Sequence, residues 1–74
     1  MNEYEVLVER IDPCGGEKHS NRKLIDVEAE SPEAYIRDNA QYPVVDDLVN
    51  AAGDRVFVTA DGKGNMVRYT FTHE

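Results

Sequence analysis

The side chains best able to do chemistry gather in one short stretch, DPCGGEKHSNR at residues 12–22, which holds the only cysteine, Cys14, and one of the two histidines, His19. Three chemistries are open to it. Cys14 and His19 could ligate a metal with His73 or a carboxylate, but one thiol and one imidazole at this spacing match no common zinc pattern. Neither a metal nor a cofactor is therefore expected. Cys14, flanked by cations that favour the thiolate, could act as a nucleophile. That would also need an oriented base and a pocket that excludes water, which so short a chain can hardly supply, so no catalytic residue is assigned and the protein is read as a non-enzyme. The third chemistry is anion or small-ligand binding. Consecutive backbone amides at Gly15 and Gly16 can form a concavity for an anion, with Lys18, His19, Arg22 and Lys23 supplying charge. The pattern of a nucleotide-hydrolysing phosphate loop is missing. Asp12, Pro13, Gly15, Gly16, Ser20 and Asn21 are also all turn formers, so an exposed hairpin loop accounts for most of the composition. Such loops usually need only about two to five residues, and this one is longer.

A second group of residues is electrostatic. Strand alternation places Glu3, Glu5 and Glu9 on one side of a first strand and Asp26, Glu28 and Glu30 on the same side of a second. Like charges directly opposite one another destabilise a strand pair, so these acids are either neutralised within the protein, with Arg55 and Arg68 as candidates, or presented to a partner. Phe57 and Met66 are expected beside them on the outer face. With Leu7 and Leu24 they would form an apolar island suited to protein contact, and a homodimer through the sheet is compatible with it.

The elements that must position these residues follow from periodicity. Residues 3–11 and 23–30 alternate as half-buried strands, with Tyr4, Val6, Val8, Ile25, Val27 and Ala29 inward, and they flank the long loop as a hairpin. Ser31 and Pro32 then supply an N-cap and a first helical residue, and Glu33 suits the first turn and an i,i+4 pair with Arg37. This helix should stop near Pro43. Val44, Val45, Leu48, Val49 and Ala52 recur on one helical face, with Gly53 at the expected C-terminal cap, which predicts a second short helix packed on the sheet. Residues 55–59 and 66–72 read as a closing hairpin around ADGKGN, with Val67, Tyr69 and Phe71 inward. The expected fold is α+β in ββααββ order: a four-stranded, mainly antiparallel sheet with two short helices on one face, forming a single domain over residues 1–74.

Composition bounds the function. The chain has 74 residues, 15 acidic against 8 basic, and a net charge of −7. That balance opposes direct binding to nucleic acid, which needs clustered cations. No apolar run approaches the ~20 residues of a membrane-spanning helix, and the acidic start does not resemble a secretion signal. A cytoplasmic setting is expected, one that tolerates a free thiol. The leading expectation is a small acidic, non-enzymatic protein-interaction module that uses its exposed sheet face, as an inhibitor or accessory factor whose partner carries a basic surface. The alternatives are anion or small-ligand binding at loop 12–22, and an acidic mimic of nucleic acid of the kind found in phages and mobile elements.

Overall fold

The computed structural model describes residues 2–11 and 21–73. They form strands β1 (Asn2–Ile11) and β2 (Asn21–Ala29), helix α1 (Pro32–Asn39), and strands β3 (Val44–Val49), β4 (Arg55–Ala60) and β5 (Met66–His73). All five strands join one sheet in the order β2-β1-β5-β4-β3, every neighbouring pair antiparallel. The first and last strands of the chain are thus paired at the middle of the sheet.

This corrects the expected four strands and two helices: the segment predicted as the second helix is β3. VVDDLV spaces its apolar residues compatibly with either element, and three of its six residues are β-branched valines, which lose rotamer freedom in a helix and pack well on a pleated surface. Gly53, with φ of 89°, caps no helix. It occupies the left-handed position of a tight hairpin turn, in which Asn50 N donates to Asp54 O and Gly53 N to Asn50 O, both at 3.0 Å. The Asn50 side-chain oxygen also accepts from the amides of Ala52 and Asp54. A strand–turn–strand unit leaves Val44, Leu48 and Val49 exposed on an edge instead of packed in the core.

Helix α1 forms as its first residues dictate. Ser31 is extended and its hydroxyl accepts from Ala34 N at 3.1 Å, Pro32 opens the first turn, and the Ala40 amide closes on Ile36 O. Ile36 is buried and anchors the helix over a core of Tyr4, Val6, Ala29, Phe57, Val67, Tyr69 and Phe71. Phe71 is the hub of that core, with the rings of Tyr4, Tyr35 and Phe57 each meeting it edge-on at centroid distances of 5.7 to 5.9 Å. Such T-shaped contacts favour the quadrupoles of both rings. Burial pushes the Tyr69 hydroxyl above its ordinary pKa.

Arg55 ties the helix to the edge strand. Its guanidinium pairs with Glu33 of α1, makes two hydrogen bonds to Asp47 of β3 at 3.0 and 3.1 Å, and lies 5.0 Å from the Phe57 ring centre. The hydrogen bond to Asp47, above all, raises its pKa further. Glu33 therefore pairs across the fold and not with Arg37, whose Nε lies 3.3 Å from Asp38.

Candidate functional site

Among the described residues, no element covers the sheet face opposite α1. Strand register sets out this face in rows. Leu24, Leu7, Thr70, Val56 and Leu48 stand directly opposite one another, one from each strand, so a mainly apolar row crosses the whole sheet. Leu24 and Leu48 at its two ends are 60% and 40% exposed, whereas Val56 is sheltered at 6%. Val56, Val58 and Thr70, together with Leu7 and Leu48, line an open groove of about 380 Å³. Its mainly apolar lining, bordered by Glu9, Arg68 and Asn50, can receive a side chain, and the exposed leucines extend the contact on either side.

Charged residues border the row on both sides. Toward one end lie Arg22, Glu9 and Arg68, again in register across β2, β1 and β5. Glu9 is buried between the two arginines: Arg68 Nε donates to its Oε1 at 2.9 Å, and Arg22 Nε lies 3.4 Å from its Oε2. Toward the other end Glu5 faces Asp26 and Glu3 faces Glu28, two like-charge cross-strand pairs. On its other side Glu5 faces Thr72, so no cation is its direct cross-strand neighbour. A hollow of about 370 Å³ beside the β2 edge is lined by Glu3, Asp26, Val27 and Glu28.

The six acids singled out in the sequence thus separate. Glu3, Glu5, Asp26 and Glu28 form an uncovered acidic end, Glu9 is internally neutralised, and Glu30 lies beyond β2, exposed, with its backbone carbonyl accepting from Asn2 Nδ2 at 3.0 Å. Of the two arginines proposed to neutralise acids on this face, Arg68 does so, and Arg55 serves the opposite face.

Phe57 requires a correction. It is 3% exposed and part of the core beneath α1, so it contributes nothing to an outer island. In RVFVT both alternating sets are apolar or amphipathic, and hydropathy alone does not orient the strand. Placing Phe57 inward turns Val56 and Val58 outward, and these are the groove residues that sequence reasoning missed. Met66 does lie on the outer face, half-buried opposite Ile11 and Ala60, one strand step from the arginine row.

Of the candidate loop site, Cys14, Gly15, Gly16, Lys18 and His19 lie outside the described residues. Arg22 and Lys23 belong to β2, and as successive strand residues they project to opposite faces, Arg22 toward Glu9 and Lys23 on the α1 side opposite Val8. Among the described residues no group of three His, Cys, Asp or Glu side chains is arranged to hold a metal ion, and no helix is long and apolar enough to cross a membrane.

The open β3 edge is guarded against strand addition. The Asn50–Asp54 hydrogen bond fixes the alternation, which directs the amides of Leu48 and Asp46 toward β4 and that of Asp47 toward the edge. There the Asp46 carboxylate accepts it at 2.9 Å. A register shift between Val44 and Asp46 further breaks the ladder. Charge and irregularity of this kind are how proteins blunt sheet edges.

Comparison of the chain with protein families, characterised proteins and solved structures finds no match.

Proposed function

We propose that this chain is a non-enzymatic protein-interaction module that binds its partner through the sheet face opposite α1. The observation that carries this reading is the row Leu24–Leu7–Thr70–Val56–Leu48. It spans all five strands, is exposed at both ends, and has a groove beside its sheltered centre. Apolar side chains held in a line on a rigid sheet lose little entropy on contact, and an apolar centre with a charged rim is the usual make-up of a recognition surface. The guarding of the β3 edge disfavours strand addition there.

The test compares the parent with the pair Leu24→Ser and Leu48→Ser, and with Arg37→Ser on the exposed side of α1. All three should remain folded, since none of the replaced side chains belongs to the core. A protein retained from the native cell by the parent and by Arg37→Ser, but lost with the leucine pair, supports the reading. Retention by all three overturns it.

A further inference from the structure

We infer that the occupant of this face is a cationic amphipathic segment of another protein, with an apolar side chain seated on the apolar row beside Leu7 and Lys or Arg residues laid along Glu3, Glu5, Asp26 and Glu28. The inference rests on the proposed binding face and adds the partner's chemistry.

The argument is one of charge complementarity. On this face the cations Arg22 and Arg68 are both engaged with Glu9, whereas the four carboxylates at the other end face one another or Thr72. Two like-charge pairs in register destabilise the bare sheet, and a cationic partner would relieve that repulsion on binding. The apolar row and the acids are also correctly spaced for one segment. Glu5 precedes Leu7 by two strand residues and Glu3 by four, so the carboxylates lie ~7 and ~14 Å from the row. Those steps are two and four residues of an extended segment, whose alternate side chains share one side. A segment with an apolar anchor and cations on the same side at these intervals meets both features together.

A second copy fits less well. Each chain carries a net charge of −7, and the arginines of this face are already occupied by Glu9. Nucleic acid would bring phosphates to the acidic end.

The experiment titrates the full chain, followed by backbone amide NMR, with three short synthetic peptides of one pattern: leucine with lysine, leucine with glutamate, and serine with lysine. The leucine–lysine peptide should shift amides of Glu3, Glu5, Leu7, Val56 and Thr70 and bind most tightly. Glu5→Gln with Asp26→Asn should weaken it by about tenfold, and Glu33→Gln with Asp38→Asn, an equal charge change on α1, by about twofold or less. Leu24→Ser, at a site 60% exposed, should also weaken it. Equal losses in the two charge pairs, shifts confined to the α1 side, or equal binding of the leucine–glutamate peptide would overturn the inference. So would sedimentation showing a dimer that Leu24→Ser dissociates. A native partner that needs Leu24 and Leu48 but is indifferent to Glu5 and Asp26 would leave the binding face standing and remove only its cationic occupant.

Discussion

Glu9 and Arg68, 59 residues apart in the chain, meet across β1 and β5, and both Nε and a terminal nitrogen of Arg68 lie within 2.9 Å of one Glu9 oxygen. The pair joins the first strand to the last, and it seals one flank of the apolar row. Glu9 is the buried partner, so the energetic consequence of breaking the pair falls on it.

Among the described residues, removing the arginine leaves that carboxylate with Arg22, at 3.4 Å. Arg68→Met should therefore cost about 1–3 kcal/mol in urea unfolding, the penalty of an undercompensated buried acceptor. Glu9→Leu combined with Arg68→Met should recover most of the loss, because an apolar pair of similar size carries no desolvation cost. A double variant as unstable as the single would show that the loss comes from packing and not from charge.

The core and the edge should respond oppositely to truncation. Phe71 touches three other rings and is 2% exposed, so Phe71→Ala should cost about 3–5 kcal/mol and unfold a domain of this size. Leu48→Ala removes a side chain on the open edge strand and should cost about 1 kcal/mol or less. Thermal melts of the two variants distinguish the β3 assignment from a packed second helix, which would make Leu48 as costly to lose as a core residue.

How much of this architecture was legible in the sequence depends on whether a local signal had one meaning. Alternation in EYEVLV and LIDVEA has polar residues on one side only, and Ser31–Pro32 is an unambiguous helix start, so β1, β2 and α1 could be read directly. VVDDLVNAAG was not legible in this way, because its spacing fits both a helical face and a strand ending in an Asn–Gly turn. What decides is that β4 offers a partner, a long-range fact. The same ambiguity hid half of the candidate site. Val56 and Val58 could be assigned outward only once Phe57 was known to lie beneath Ile36 and against Phe71. The Glu9–Arg68 pair was legible as a possibility of charge and parity, and the pairing of β1 with β5 made it specific.

Thr59 offers a test of the β4–β5 register. It is fully buried, and its hydroxyl donates to Val67 O, directly across the ladder, at 2.9 Å. Thr59→Val keeps the shape and deletes the donor, so unfolding free energy should fall by about 0.5–1.5 kcal/mol. A variant more stable than the parent would mean that the hydroxyl has no such partner in solution.

The Asp61 side chain organises the β4–β5 turn. Its Oδ1 accepts from the amides of Lys63 and Asn65 at 2.7 and 3.2 Å, and its Oδ2 from the Asn65 side chain at 2.7 Å. The Asn65 side-chain bond first, and then the Lys63 amide, hold the carboxyl below the ordinary aspartate pKa. The carboxylate accepts these bonds more strongly than the protonated acid does. Because the folded pKa is depressed, the turn is supported fully above the unfolded value of about 3.9 and loses that support as pH falls through the lower folded value. Amide shifts of Lys63 and Asn65 should accordingly titrate together with a midpoint below 3.9, and Asp61→Asn should abolish that titration while β1 and β2 remain paired. A midpoint at or above the ordinary aspartate value would show that the carboxylate does not hold the turn in solution.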